Sequence, residues 1–366
     1  MFWMYAGFIL LVLALLALDL GVFHRKAHVV TVKEALGWSA FWIALGLAFS
    51  GFIYLGYENH WLGLGLTPDL MTARPVAMEG LGTVYNDGAS ALVKYVTGYL
   101  VEKSLAVDNI FVISMIFTFF AVPAIYQHRV LFWGILGALI LRGMMIAAGT
   151  RMIQEFSWII YVFGGFLILT GIKMLLLKEG ETDPNKNLVV RATRKLFPVT
   201  ERFHGEHFFV RAGTDASHEA ETPGAAVVAD RVVDAAKAGT LLATPLLLAL
   251  VMVEFTDLIF AVDSIPAIFA ITADPFLVFT SNVFAILGLR SLYFALAGMI
   301  DSFRYLKVAL AVVLMVVGVK MMTHTWLKAQ LGENFNLYLL AVVLSILAAG
   351  VVASLWKSRS EARAAQ

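Results

Sequence analysis

Apolar runs of about 20 residues recur along the whole chain, and no other feature restricts its fold as much. An α-helix needs a run of this length to cross the hydrocarbon core of a bilayer. The runs predict nine spans, near residues 2–22, 36–57, 88–121, 130–150, 156–177, 241–271, 276–299, 305–325 and 335–356. Hydrophobic residues make up 60% of the chain, against about 45–50% in soluble domains. The predicted fold class is therefore all-α, a polytopic membrane protein with about nine transmembrane helices.

Lysine and arginine residues predict how these helices are oriented, because basic residues collect in cytoplasmic loops. With nine spans, most of the basic loop residues fall on the same side of the membrane. They are Arg25, Lys26, Lys33, Arg129, Lys178, Lys186, Arg191, Arg194, Lys195, Arg202, Arg304, Lys307, Lys357, Arg359 and Arg363. The opposite side has only Arg74, Arg151 and Lys328. We therefore expect a protein of the cytoplasmic (inner) membrane with its N-terminus outside and its C-terminus in the cytoplasm. The first run lacks a basic region and a cleavage site, so it is predicted to be a retained span.

Two stretches of the chain are similar to each other. "EKSLAVDNIFVI" begins at Glu102 and "DLIFAVDSIPAI" begins at Asp257. The alignment pairs Glu102 with Asp257, Asp108 with Asp263, Asn109 with Ser264, Arg142 with Arg290 and Lys173 with Lys320. Each copy covers three spans, and an odd number of crossings inserts the copies in opposite orientations. An inverted three-helix repeat of the kind found in secondary transporters is therefore predicted.

The repeat divides the chain into five predicted parts. These are an N-terminal two-helix membrane segment (1–87), the first three-helix repeat (88–177), a cytoplasmic loop (178–240), the second, inverted repeat (241–325), and a last helix with a cytoplasmic tail (326–366). The second half of the loop is rich in small and polar residues, which predicts a mobile segment.

Acidic residues lie inside the predicted spans, where an ionised carboxylate costs about 2.5–3.5 kcal/mol. They are Glu102, Asp108, Glu254, Asp257 and Asp263. Basic partners, protonation, water or a bound cation could offset this cost, so buried salt bridges that only hold the spans together are one alternative. Lys103, Arg142 and Arg290 are the candidate charge partners. Lys94, Lys173 and Lys320 lie near span ends and are expected to extend toward the membrane surface.

The spacing of the acids and a proline suggest a broken helix. Residues six apart, such as Glu102 and Asp108, lie roughly 120° from each other on a straight helix. Pro266 lacks an N–H and clashes with the carbonyl of Val262, which predicts a kink or an unwound turn at residues 263–265. Freed carbonyl oxygens would then lie beside the carboxylates. In the first copy no proline supports a break at residues 108–109.

The side chains around these acids are hard oxygen donors, which suit Mg²⁺, Ca²⁺ or Mn²⁺ better than Zn²⁺ or Cu⁺. The predicted metal ligands are Glu102, Asp108, Asn109, Glu254, Asp257, Asp263 and Ser264. The predicted charge-partner or gating residues are Lys103, Arg142, Arg290, Asn282 and Pro266. Whether Glu254 binds the ion or an arginine is left open.

Four motifs resemble the TerC family of bacterial membrane proteins, including its Alx branch. They are "GYLVEKSLAVDNIFV", "YQHRVLFWGILGALILRG", "VEFTDLIFAVDSIPAIFAIT" and "FTSNVFAILGLRSLYFALAGMIDSFRYLK". The family is named for tellurium resistance and is grouped with LysE-type exporters, and the resemblance implies manganese export through the predicted metal ligands. The chain departs from its relatives in a longer, Ala-rich insertion between residues 208–211 and 243–246, which affects the cytoplasmic loop rather than the membrane site.

The favoured function is export of Mn²⁺ across the cytoplasmic membrane, in exchange for protons, by a secondary transporter. The alternatives are transport of Ca²⁺ or a tellurium oxyanion, and a non-transporting membrane partner that supplies metal to exported proteins. No nucleophile, zinc motif or cofactor fingerprint accompanies the acids, so neither an enzyme nor a bound cofactor is predicted. Expected partners are the metal ion and the lipid bilayer, with membrane-protein partners or a homo-oligomer left open. The net charge of +1 argues against nucleic acid.

Overall fold

The computed structural model is a bundle of long helices with two small two-stranded antiparallel sheets. It describes residues 1–21, 30–71, 75–80, 82–156, 158–176, 188–225, 227–296, 304–331 and 335–364. The helices in these ranges are α1 (Phe2–Gly21), α2 (Val32–Glu58), α3 (Gly88–Phe119), α4 (Ala124–Glu155), α5 (Ile159–Leu176), α6 (Leu188–Leu196), α7 (Arg231–Ala235), α8 (Pro245–Phe269), α9 (Pro275–Leu287), α10 (Leu289–Leu296), α11 (Arg304–Met322), α12 (His324–Leu331) and α13 (Phe335–Ala364). Each predicted span corresponds to one of these helices or, at 276–299, to the pair α9 and α10.

The described helices confirm a multi-pass, all-α membrane protein. Six of them are long and apolar enough to span a membrane, namely Val32–Glu58, Ala124–Glu155, Ile159–Leu176, Pro245–Phe269, Tyr305–Met322 and Asn336–Ser354. The bent pair α9 and α10 raises this number to seven if it forms one span. Of the other predicted spans, α1 has only a short apolar stretch, Phe2–Leu18, and α3 carries four charged residues. The total of nine stays a prediction.

Small residues bring α5 and α11 into close contact. A Cβ atom added at Gly164 would lie 3.0 Å from the carbonyl oxygen of Gly318, and one added at Gly318 would lie 2.8 Å from that of Gly164. Small residues allow such backbone contact between membrane helices. In addition, α3 packs against α9 while its predicted counterpart α8 packs against α4. This reciprocal packing supports an inverted repeat, which stays a prediction.

Helix α8 is continuous, so the unwound turn predicted at residues 263–265 is wrong. Pro266 lies in its last turn, where the helix ends at Phe269 and the N–H of Ala270 still bonds the carbonyl of Pro266. Membrane helices tolerate proline because the surrounding protein compensates for the lost backbone bond. Helix α3 is also unbroken. The discontinuity lies instead between α9 and α10, which meet at Gly288 with a bend of 41°.

Aspartate caps set the start of two helices that carry the polar residues, α3 and α9. Asp87 accepts a hydrogen bond from the N–H of Ser90 at the start of α3, at 2.7 Å. Asp274 accepts from the N–H groups of Phe276 and Leu277 at the start of α9, where Pro275 occupies the first turn. Such caps satisfy N–H groups that have no partner within the helix.

The second half of the predicted cytoplasmic loop contains secondary structure and a small core, and its mobility stays a prediction. Strand β3 (Phe209–Arg211) pairs antiparallel with β4 (Leu241–Ala243), while β1 (Val76–Met78) and β2 (Gly82–Val84) form a separate hairpin. A small core of Val210, Ala212, Val233 and Leu242 covers the β3–β4 pair. Several basic residues used for the orientation, among them Arg25, Lys26, Arg74, Lys178 and Lys186, lie outside the described residues.

Candidate cation site

Arg142 of α4 is the centre of a buried group of polar side chains. Its guanidinium forms an ion pair with Glu102 of α3 through Nη1. It also binds both oxygens of Asp257 on α8, with Nη2 at 2.9 Å from Oδ1 and Nε at 3.2 Å from Oδ2. The side chains are 3% exposed for Arg142 and Glu102 and 12% for Asp257. One acid from each predicted repeat thus meets the same buried cation.

Three neutral side chains complete this group. Nη1 of Arg142 lies 3.3 Å from Oγ of Ser264 and 3.4 Å from Oδ1 of Asn282, a residue of α9. The amide of Asn109 donates to Oδ1 of Asp257 at 3.4 Å. We call the group Glu102, Asn109, Arg142, Asp257, Ser264 and Asn282 the Arg142 cluster.

The spacing of residues along two helices explains why they meet. Asn109 follows Glu102 by seven residues, and Ser264 follows Asp257 by seven. Two turns of a helix take about 7.2 residues, so each pair lies on one face of its helix. A continuous α3 and a continuous α8 therefore present an acid and a neutral donor toward Arg142 without any break in the backbone.

The Arg142 cluster has more acceptor capacity than its cation uses. Two carboxylates and one guanidinium leave a formal charge of −1. Among the described residues, Oε2 of Glu102 and Nδ2 of Asn282 are buried without a hydrogen-bond partner. Buried polar atoms are normally hydrogen-bonded. Unbonded atoms of this kind suit a site that binds a further group.

Glu254 lies outside the Arg142 cluster, one turn before Asp257 on α8. Its carboxylate rests on Gly137 of α4, where an added Cβ atom would overlap it. Within the described residues its buried Oε2 has no hydrogen-bond partner. The described part of the chain thus presents no hydrogen bond from an arginine to Oε2 of Glu254, and whether Glu254 binds the ion stays open at this point.

Asp263 also lies outside the Arg142 cluster and faces α5. It accepts a hydrogen bond of 3.1 Å from the hydroxyl of Thr170 on α5, and the charge of Lys173 acts on it from the next turn. Asp263 is six residues after Asp257, so a straight helix turns it away from the Arg142 cluster. Its counterpart Asp108 is half-buried on α3.

The remaining predicted charge partners are buried or half-buried at the bend between α9 and α10. Lys103 donates to the carbonyl of Ala285 at 3.0 Å, and its Nζ lies 2.9 Å from a Cβ atom added at Gly288. Arg290 is buried on α10. Within the described ranges, Lys103 thus contacts the backbone at the bend and not a carboxylate.

A second buried polar group joins the connection after α2 to the connection between α8 and α9. Asp69 accepts from the side chains of Lys94 at 2.9 Å and Thr272 at 2.6 Å, and from the N–H of Ala273 at 2.9 Å. Asn86 bridges Asp69 and Asp274, which also accepts from the hydroxyl of Tyr57. We call Tyr57, Asp69, Asn86, Lys94, Thr272 and Asp274 the Asp69 network.

The two acids of the Asp69 network have opposite pKa shifts. Burial raises the pKa of Asp69, but the ammonium of Lys94 and the hydrogen bonds from Thr272 and Ala273 hold it below its usual range. Burial, and then the negative charge of Asp69, raise the pKa of Asp274 to about 6. Lys94 and Lys320 are both buried, so the prediction that they extend to the membrane surface is wrong for these two. Lys173 is exposed, and its extension to the membrane surface stays a prediction.

The structure thus divides the predicted metal ligands among several places. Glu102, Asn109, Asp257 and Ser264 meet in the Arg142 cluster, whereas Glu254 and Asp263 lie apart from it. No group of three or more His, Asp or Glu side chains in the described ranges is arranged to hold a metal ion. Sequence reasoning missed Gly137 and Thr170, which contact the two outlying acids, and the Asp69 network, whose partners lie up to 217 residues apart.

Comparison with known proteins identifies the family. The model of the "Integral membrane protein TerC family" matches residues 87–362. The chain belongs to the TerC family. This confirms the resemblance carried by its four motifs.

Relatives of this TerC-family protein cover nearly its full length. It is 47% identical over 356 residues to "Uncharacterized membrane protein STKORF319" of Myxococcus xanthus, covering 97% of this chain and 93% of the relative. It is 42% identical over 347 residues to "Putative membrane-bound redox modulator Alx" of Salmonella typhi, covering 93% of each chain. The protein of the same name from Escherichia coli (strain K12) is 41% identical over 347 residues, covering 93% of this chain and 94% of the relative. No solved structure matches this TerC-family chain.

Proposed function

We propose that this TerC-family protein is a secondary transporter that exports a divalent cation from the cytoplasm in exchange for protons. Mn²⁺ is the cargo that the family resemblance implies. The observation that carries the proposal is the Arg142 cluster, in which acids from α3 and α8 bind one positive group inside the helix bundle.

The cluster provides the type of ligand that such a cargo needs. Glu102 and Asp257 supply carboxylate oxygens, and Asn109, Ser264 and Asn282 supply neutral oxygens from three helices. Carboxylate, carbonyl and water ligands suit Mg²⁺, Ca²⁺ and Mn²⁺. The formal charge of −1 favours a cation over an anion.

In this proposal Arg142 acts as an internal counter-ion for the two carboxylates. Its guanidinium neutralises most of the negative charge of Glu102 and Asp257, because a lone buried carboxylate is costly. A divalent cation that binds both carboxylates would displace the guanidinium from them. After the cargo leaves, the guanidinium of Arg142 would bind Glu102 and Asp257 again. The two carboxylates would therefore be paired while the protein changes conformation.

The placement of the two acids fits alternating access. Glu102 and Asp257 belong to different predicted repeats, and a rocking movement of one repeat against the other would change the side from which the site is reached. Protonation and cation binding both relieve buried negative charge, so a carboxylate site can exchange one for the other. In this proposal the protein lies in the cytoplasmic membrane with its N-terminus outside.

The alternatives fit the Arg142 cluster less well. A tellurium oxyanion would compete with two carboxylates for the guanidinium donors of Arg142. Ca²⁺ would use the same oxygen ligands and is separated from Mn²⁺ by the experiment below. The name of the Alx relatives refers to redox modulation, but the 366 residues of this chain include no cysteine, so thiol–disulfide exchange is not available to it.

Ion flux into proteoliposomes tests the proposal. The purified protein is reconstituted, and Mn²⁺ or Ca²⁺ entry is followed with and without an imposed pH gradient. We expect Mn²⁺ flux that the gradient accelerates, and a loss of at least about tenfold in Glu102→Gln and Asp257→Asn, since even supporting residues of a metal site are worth about 10–100-fold.

Glu155→Gln is the matched control, because Glu155 is an exposed carboxylate at the end of α4. This variant should transport as well as the wild type. Absence of Mn²⁺ flux in the wild type would overturn the proposal and favour the metal-supply alternative. Full Mn²⁺ flux in both Glu102→Gln and Asp257→Asn would overturn the assignment of the Arg142 cluster as the cation site.

A further inference from the structure

We infer that Glu254 is the proton-binding group of the exchange cycle and is separate from the cation ligands of the Arg142 cluster. The inference rests on the proposed function and deepens it. It assigns the proton and the cation to different carboxylates on α8, one turn apart.

The surroundings of Glu254 suit a proton and not a metal ion. Its carboxylate lies on the backbone of Gly137, and the three atoms nearest to an added Cβ there all belong to Glu254. Its buried Oε2 has no hydrogen-bond partner among the described residues. Ca²⁺ takes about 6–8 oxygen ligands and Mg²⁺ demands an octahedral set, so a lone carboxylate is insufficient, whereas burial without a partner favours the neutral, protonated acid.

Among the described residues, no cation is hydrogen-bonded to the buried Oε2 of Glu254. The charged groups on the helices that pack against α8 are Lys94, Glu102, Lys103, Asp108, Arg129, Arg142, Arg151, Glu155, Lys173, Arg191, Arg194, Lys195, Arg304, Lys307 and Lys320. Arg142 is engaged by Glu102 and Asp257, and Lys103 by the carbonyl of Ala285. The charge that acts on the Glu254 carboxyl is that of Asp257, on its own helix.

This arrangement couples the two ligands by electrostatics. When Asp257 is bound to a divalent cation, its negative charge no longer opposes ionisation of Glu254, and the proton is released. When the cation leaves, the charge of Asp257 again favours the protonated form of Glu254. Because such coupling is reciprocal, a protonated Glu254 also weakens cation binding at Asp257.

Glu254→Gln tests the assignment, since glutamine keeps the size of the side chain but cannot exchange a proton. In proteoliposomes we expect Mn²⁺/Mn²⁺ exchange at the wild-type rate when Mn²⁺ is saturating, which offsets the weaker cation binding expected with a neutral residue at position 254. Flux driven by a pH gradient should fall at least about fivefold, the lower end of typical coupling between sites. Loss of both activities would make Glu254 a cation ligand, and retention of both would remove it from the cycle. Either result overturns the inference.

A spectroscopic measurement keeps this test separate from that of the proposed function. Infrared spectra of the purified protein at a series of pH values should contain a protonated carboxyl band that Glu254→Gln lacks and Glu155→Gln retains. If the wild type transports no Mn²⁺, the proposed function fails, but the infrared band still decides whether Glu254 holds a proton. An identical carboxyl spectrum in Glu254→Gln and the wild type would contradict the inference.

Gly137→Ala provides a second variant in case Glu254→Gln does not fold. The added methyl group would push the Glu254 carboxylate out of its position, so the carboxyl band should shift and the gradient-driven flux should fall. Gly143→Ala on the same helix is the control, because its methyl group would meet only Phe279 at an ordinary 3.5 Å. Equal behaviour of the two alanine variants would count against a role for the Glu254 position.

Discussion

The Arg142 cluster and the Asp69 network are both buried and both pair a cation with carboxylates, but they differ in how completely their atoms are bonded. Asp69 accepts five hydrogen bonds, from Met71, Asn86, Lys94, Thr272 and Ala273. In the Arg142 cluster, one oxygen of Glu102 and the amide nitrogen of Asn282 have no partner among the described residues.

This difference separates a structural group from a functional one. A fully bonded polar network holds a single arrangement, whereas a partly bonded one has atoms available for a ligand. The Asp69 network ties together the segments after α2 and after α8, and we assign it to stability. The Arg142 cluster retains an unused acceptor, Oε2 of Glu102, and an unused donor, Nδ2 of Asn282, and we assign it to cation binding.

The largest expected effect on stability comes from Lys94→Met. This change leaves Asp69 as a buried charge without its cation, which typically costs about 3–5 kcal/mol. We expect a strongly lowered unfolding temperature of the purified protein in detergent. Lys173→Met, at an exposed lysine of α5, should unfold like the wild type, and a wild-type unfolding temperature for Lys94→Met would contradict the structural role of the network.

A pH-dependent effect is expected from Asp274→Asn. The pKa of Asp274 in the folded protein is about 6, above its ordinary 3.8. Its contribution to stability is therefore full below pH 3.8 and is lost as the pH rises through about 6, by up to about 3 kcal/mol. The asparagine variant keeps the cap of α9, and its stability should not decline as the pH rises through about 6.

Unfolding temperatures measured from pH 4 to pH 7 check this prediction. Asp69 does not obscure the result, because its lowered pKa makes its contribution present above its ordinary value of 3.8 and lost only at lower pH. A decline of the same size in the wild type and in Asp274→Asn would show that another group titrates in this range.

The smallest effect on stability is expected from Glu102→Gln. The guanidinium of Arg142 keeps both bonds to Asp257, and the formal charge of the cluster changes from −1 to 0. We expect a loss of no more than about 1 kcal/mol, the scale of a single hydrogen bond. If this variant unfolds as readily as Lys94→Met, the Arg142 cluster is a scaffold of salt bridges, which is the alternative that the sequence left open.

Much of the helical architecture could be predicted from the sequence, because hydrophobic length is a local property. Each predicted span corresponds to a described helix or to the α9–α10 pair. The seven-residue spacing of Glu102 with Asn109 and of Asp257 with Ser264 was also available, since it places each pair on one face of a straight helix. The wrong expectation of an unwound turn followed from treating Pro266 as a helix breaker in a membrane helix, where it is tolerated.

The Asp69 network could not be predicted in the same way. Lys94 resembles an ordinary basic residue near a span end, and its partner Asp69 lies 25 residues earlier, beyond a hairpin. Thr272 and Ala273 are more than 200 positions from Asp69. Such contacts depend on how the helices pack, as does the position of Glu254 on Gly137.

The central claim is that Glu102 and Asp257 bind the cargo cation in place of Arg142. Electron paramagnetic resonance of Mn²⁺ titrated into the purified protein measures this directly, because bound and free Mn²⁺ have different spectra. We predict a saturable site in the wild type and in Glu155→Gln that is lost in the double variant Glu102→Gln, Asp257→Asn. Unchanged Mn²⁺ binding by a folded double variant would contradict the claim.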